Sequence, residues 1–207
     1  MTFRKIYLAG PEVFLPESGQ RVFDAKKAMC AEFGFEGVSP MDGELTLEEL
    51  AAFQKGIAIC RGNLAHMERC DAVIANMTPF RGVSMDAGTA FEMGYMAALG
   101  KPVAGYTHIT TPFHHRSSRY YEHGRSDLLE TYSAGTSVEL FEMPDNLMMV
   151  GAVYSAGLNV QQIEVSPGEE LTSLAGFRKC LEELAKRHAG SGSKVGGGMS
   201  PFLPSIG

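Results

Sequence analysis

The sequence predicts an α/β fold: a mainly parallel sheet flanked by helices, three-layered in the flavodoxin-like or Rossmann-like manner, in a single domain. Three observations carry this. Short apolar, β-prone runs alternate with stretches of helical period along residues 5–106. Their order, strand, helix, strand, helix, strand, favours parallel pairing with helices packed on the sheet. A chain of 207 residues is also long enough to bury one sizeable core without disulfide or metal staples.

The first element is Lys5-Ile6-Tyr7-Leu8-Ala9, a buried strand that Gly10-Pro11 stops. From Ser18 to Phe33 the apolar positions Val22, Phe23, Ala25, Met29 and Cys30 recur at helical spacing, with Ser18 as N-cap and Gly34 past the end. Gly37-Val38-Ser39-Pro40 reads as an extended piece running into the loop Met41-Asp42-Gly43. Thr46 and Glu49 fit a capping box for a second helix, which continues from Ala58 to Met67 with a break or bend around Gly56 and Gly62. Cys70 to Asn76 is the clearest buried strand. Met85 to Thr89 reads as a loop, Ala90 to Leu99 as a helix ending at Gly100, and Lys101 to Tyr106 as another strand. Residues 107–140 are polar and lack sustained apolar periodicity, so they read as a long surface excursion. Asn146 to Val153 is helical in pattern, and Glu169 to His188 ends in a charged amphipathic helix. The expected domain is 1–189, followed by a Gly/Ser-rich tail at 190–207.

Composition excludes several partners. With 18 basic and 24 acidic residues the net charge is −6, which argues against a nucleic acid and against an anionic membrane surface. Four cysteines without a CxxC pair, and no secretory pre-sequence ahead of them, point to reduced thiols in the cytoplasm, each serving as a buried apolar group. His108, His114, His115 and His123 lack the spacing of ordinary metal ligands, so no metal is expected and a solvated loop is.

The chemistry concentrates at the carboxyl ends of the strands, where parallel sheets bind ligands. Asp86 and Glu92 are six residues apart, which on one continuous helix turns their side chains about 240° from one another. If the helix instead begins at Gly88-Thr89, Asp86 stands in the loop and both carboxylates face one crevice. Gly88 near a helix start lets a ligand approach the backbone amides. Paired carboxylates suit glycosidic chemistry, one at the anomeric carbon and one assisting. An Asp-x5-Glu by itself is an ordinary turn residue followed by a surface helix residue.

Its surroundings add more. Tyr7-Leu8-Ala9-Gly10-Pro11, Asp71, Asp86-Ala87-Gly88-Thr89-Ala90-Phe91-Glu92-Met93-Gly94-Tyr95, Gly100-Lys101-Pro102-Val103 and Asn146-Leu147-Met148, in this order, resemble the nucleoside 2-deoxyribosyltransferase family. The resemblance covers about half the chain. It implies that Glu92 is the nucleophile attacking C1′ of a 2′-deoxynucleoside and that Tyr7 positions that carboxylate. Asp86 then hydrogen-bonds the sugar, and Asp71 lies near the leaving base. Gly10, Phe14, Asp42 and Gly88 help to bind substrate. Asn146 and Met148 complete a neighbouring subunit's site in a homo-oligomer. The partners it implies are 2′-deoxynucleosides and free nucleobases, with no cofactor. Purine and pyrimidine bases are both left open.

Two alternatives belong to the same reading. Arg116, Ser117, Ser118 and Arg119 suit a phosphate, which would make the chain a 2′-deoxynucleoside 5′-monophosphate N-glycosidase. A non-catalytic nucleotide-binding or interaction domain on the same sheet is the other, and the joint presence of Tyr7, Asp86 and Glu92 speaks against it.

Overall fold

The computed structural model describes residues 4–43, 46–122, 137 and 139–190. Five parallel strands form one sheet in the order β2-β1-β3-β4-β5. They are β1 (Lys5–Ala9), β2 (Glu36–Val38), β3 (Ala72–Asn76), β4 (Val103–Thr107) and a short β5 (Gln161–Gln162). Every residue of β3 and β4 is buried, as strands covered on both faces must be, and this is why they read as unbroken apolar runs. Tyr7 pairs with Val38 on one side and Val73 on the other, and Asn76 pairs with Tyr106.

The helices are α1 (Gly19–Glu32), α2 (Ala52–Arg69), α3 (Ala87–Ala98), α4 (Phe113–Glu122), α5 (Leu147–Ser155) and α6 (Ala175–Gly190), with a 3-10 turn at Pro11–Phe14. The three-layer α/β architecture expected from the sequence is the one observed. Gly34 ends α1 in the left-handed region, at φ +80°. That is the conformation that suits glycine at a helix C-terminus.

Several local expectations are corrected. Helix α2 starts at Ala52, where the Gln54 side chain accepts from the Ala51 amide at 3.3 Å, so Thr46 and Glu49 do not cap it. It then runs unbroken through Gly56 and Gly62. Helix α3 starts at Ala87, earlier than Ala90. The excursion at 107–140 contains α4, which has a clear helical period but is polar and only ten residues long, so it does not stand out from the polar segment around it; residues 123–136 and 138 lie outside the described residues, as does the tail at 191–207. Cys30, Cys70 and Cys180 are buried as expected, whereas Cys60 is exposed on α2.

One buried ionic cluster lies under the carboxyl ends of the strands. Lys26 and Glu12 are both fully buried and paired at 2.5 Å. The same Glu12 oxygen accepts from Asn76 Nδ2 at 2.8 Å and from the Tyr106 hydroxyl at 3.4 Å. The Lys26 ammonium also faces the rings of Phe23, Tyr106 and Phe177 at 5.3–5.6 Å. A cation removed from water needs this full set of partners. Gly10 makes room for the cluster, since a Cβ there would come within 2.0 Å of Glu12 Oε2.

Candidate active site

In a sheet of this order the strand order reverses between β1 and β3, and the crevice above their carboxyl ends is where a ligand sits. The loops after β1 and β3 leave from this crevice, and α3 returns beneath it. Tyr7, the third residue of β1, is fully buried and donates its hydroxyl hydrogen bond to Glu92 Oε1 at 2.6 Å. Glu92 sits on the second turn of α3 and is partly exposed.

Asp86 is the N-cap of α3. Its Oδ2 accepts from the Thr89 amide at 3.0 Å and from the Thr89 hydroxyl at 3.3 Å. Among the described residues no hydrogen bond reaches its Oδ1. With φ −59° and ψ 134°, Asp86 stands outside the helical phase, so the angular conflict with Glu92 does not arise. Burial pushes the Glu92 carboxyl up to about 7, and the Asp86 charge adds to that; the Tyr7 hydrogen bond acts in the opposite direction. Burial likewise raises the Tyr7 phenol, helped by the charge and hydrogen bond of Glu92. A tyrosine that stays protonated therefore holds one oxygen of a carboxylate that ionises near neutrality.

Other expected site residues divide by position. Gly10 and Phe14 lie in the loop after β1, and Gly88 lies in the first turn of α3, all at the carboxyl edge. Asn146 caps α5, its Oδ1 accepting from the Met148 amide at 3.0 Å while its Nδ2 donates to the Glu139 carboxylate at 3.2 Å. Asp145 ties that helix start to the loop before Asp86 by accepting from the Ser84 hydroxyl and the Met85 amide. Met148 is 70% exposed and lies at the rim of an apolar cavity between α3 and α5.

Asp71 goes elsewhere. It precedes β3 at the amino edge of the sheet, where Oδ2 accepts from the amides of Arg4 and Lys5 at 2.8 Å each. The structure does not bring it to Tyr7 and Glu92, because a residue before a parallel strand lies at the far end from the crevice. Asp42 is held by the Lys27 ammonium of α1 and by the Ser39 amide of its own loop, so its carboxylate is occupied. Arg116 is equally committed. It donates to the carbonyls of Val83, Thr111 and Pro144 and pairs with Asp145 at 3.6 Å, which leaves it serving the loop rather than a phosphate.

The family model for nucleoside 2-deoxyribosyltransferases matches residues 6–148, which is most of the chain. The chain belongs to the nucleoside 2-deoxyribosyltransferase family. A curated relative, an uncharacterised protein of Schizosaccharomyces pombe, is 35% identical over 193 residues, covering 88% of this chain and 89% of its own. Among solved structures, a 2-desoxiribosyltransferase from Leishmania mexicana superposes with a TM-score of 0.58 at 28% identity, covering 89% of this chain and 99% of that one. A 2-deoxyribosyltransferase from Bacillus psychrosaccharolyticus covers 49% of this chain and 71% of its own, at 27% identity and a TM-score of 0.41.

Within this nucleoside 2-deoxyribosyltransferase family member, sequence reasoning missed two groups. The first is the Glu12–Lys26 cluster. Its signal was present: Lys26 falls on the apolar stripe of Val22, Phe23, Met29 and Cys30, and a charge at a core position needs a buried partner. The second is Phe80 and Arg81, which join Phe14 across the crevice and carry no motif. Among the described residues one group of side chains suits a metal ion, His114, His115 and Glu142, with ligand atoms within 4.8 Å of one another. His114 Nε2 lies 3.2 Å from Glu142 Oε1 and its ring lies 4.2 Å from that of His115, tilted by 35°, while the buried His114 Nδ1 has no hydrogen-bond partner among the described residues.

Proposed function

We propose that this chain transfers the 2-deoxyribosyl group between nucleobases through a covalent deoxyribosyl ester on Glu92. The observation that carries this reading is the 2.6 Å hydrogen bond from buried Tyr7 to a Glu92 carboxyl raised to about 7. In the first displacement Glu92 Oε2 attacks C1′ and the N-glycosidic bond breaks. The departing base takes the bonding electron pair and picks up a proton. In the second, the incoming base attacks C1′ and loses a ring N–H proton to water, and the ester bond breaks, restoring the carboxylate. Positive charge grows on the sugar in both transition states, and the two carboxylates stabilise it. Tyr7 holds Oε1 and leaves Oε2 for attack. The free oxygen of Asp86 accepts from a sugar hydroxyl, its partner being fixed on Thr89.

The partners of this reading are a 2′-deoxynucleoside, a free base and a second copy of the chain. Support for the second copy comes from the apolar surface left open. An apolar cavity of about 510 Å³ lies between α3 and α5, lined by Met93, Gly94, Ala97, Met148 and Ala152 among others. Helix α2 buries only Met67 fully and leaves Phe53, Ile57 and Ile59 exposed. On this reading Asn146 and Met148, at the start of α5, complete a neighbour's site.

Incubation with a deoxynucleoside and a different free base tests the activity directly. The exchanged nucleoside is the expected product, and Glu92→Ala abolishes it with the circular-dichroism spectrum unchanged. Hydrolysis of a 5′-monophosphate without exchange would contradict the reading.

A further inference from the structure

Arg81 has a backbone that needs a reason. Its φ is +55°, in the left-handed region, and among the described residues only Glu142 shares this without being glycine. Such a backbone conformation costs free energy in any residue other than glycine and persists where the surroundings enforce it. The Arg81 guanidinium lies 4.5 Å from the Phe14 ring centroid and 4.7 Å from that of Phe80. Those two rings stack at 5.3 Å with 14° between their planes. Among the described residues the guanidinium has no hydrogen bond and no carboxylate partner, in a chain whose net charge is −6. Arg81 is thus an exposed cation on an acidic protein, held against two aromatic rings in a strained turn.

Position says what the guanidinium meets. Phe14 comes from the loop after β1, and Phe80 and Arg81 from the loop after β3, so the stack bridges the two sides of the crevice where strand order reverses. The loop is fixed at its base, where the Phe80 amide bonds the Ser84 carbonyl at 3.0 Å and Ser84 bonds Asp145. Arg81 stands five residues before Asp86 on this same loop.

We propose that Arg81, supported by Phe14 and Phe80, reads the acceptor edge of the nucleobase and selects 6-oxopurines over 6-aminopurines. This rests on the transferase reading and deepens it by naming the base class. A guanidinium fork donates two parallel hydrogen bonds, and the O6/N7 edge of a 6-oxopurine offers two adjacent acceptors. Adenine sets an amino donor beside N7, which leaves one arm of the fork facing another donor. Uracil and thymine set an N–H donor between their two carbonyl acceptors and so offer no adjacent pair. Discrimination by a bidentate arginine of this kind amounts to about tenfold to a hundredfold.

The test compares transfer from 2′-deoxyinosine to isotopically labelled hypoxanthine and to guanine, adenine and uracil by the full chain, as wild type, Arg81→Ala and Arg81→Lys. Arg81→Ala lowers kcat/KM for hypoxanthine and guanine about tenfold to a hundredfold and moves adenine by less than about threefold. Arg81→Lys does not restore the loss, because an ammonium lacks the fork. An equal loss for all four bases, or a loss confined to 5′-monophosphate donors, would overturn the assignment; the second would make Arg81 a phosphate contact. Calorimetric binding of free hypoxanthine and adenine to the same variants needs no turnover. Weaker hypoxanthine binding in Arg81→Ala supports the proposal even if no exchange is found, while unchanged binding overturns it even if exchange is robust.

Discussion

Glu92 and Tyr7 exert opposite influences on one proton. Burial and Asp86 hold the Glu92 carboxyl near 7, while the Tyr7 hydrogen bond stabilises its ionised form. A nucleophilic carboxylate acts when deprotonated, so kcat/KM should rise with pH through about 7 and level off above it. Tyr7→Phe removes the stabilising hydrogen bond, which moves that rise to higher pH and lowers kcat/KM at pH 7 by about tenfold or more. A pH–rate profile of the two proteins checks this; a midpoint that falls or stays fixed would refute the role given to Tyr7. Three residues of this site, Tyr7, Asp86 and Glu92, were legible in the sequence because each sits in a recognisable string. Asp71 was not placed correctly, since its neighbours announce a strand but say nothing of which end a particular carboxylate occupies.

Among the elements, the turn after β1 depends on a counter-charge that α1 supplies, Lys26 against Glu12. Lys26→Met leaves Glu12 buried without a counter-ion, and loss of one member of such a pair costs about 3–5 kcal/mol. Adding Glu12→Gln to that variant should recover much of the loss, because the buried charge is then gone. Urea unfolding of the two single variants and the double variant measures the coupling. Additive losses would mean that the pair does not act as a unit. Element boundaries were read well where a glycine or an N-cap marks them, as at Gly34 and at Asn146. They were misread where tertiary contact decides. Helix α4 carries a dense run of His, Arg, Ser and Tyr, and it is held by Arg116 bonding to three carbonyls rather than by an apolar stripe. The start of α2 has no strong cap, so Thr46 and Glu49 offered a false one.

At the scale of the whole molecule, a single sheet fixes where chemistry occurs. Strands β1, β3 and β4 were legible as apolar runs, whereas two-residue β5 is too short to leave a pattern and is recognised only by its pairing with Tyr106 and Thr107. The apolar cavity between α3 and α5 and the exposed face of α2 predict self-association. Met148→Asp should shift the chain to smaller species in sedimentation analysis and lower exchange activity in parallel. A variant that remains assembled and fully active would contradict the proposed interface. The central claim is chemical: Glu92 carries the sugar between the two bases. Mixing the protein with 2′-deoxyinosine, quenching in acid and measuring the intact mass tests it most directly. One added deoxyribosyl group, located on the peptide containing Glu92 and removed by adding a second base, is the predicted result. Exchange that proceeds with no adduct, or with the adduct on another residue, would contradict it.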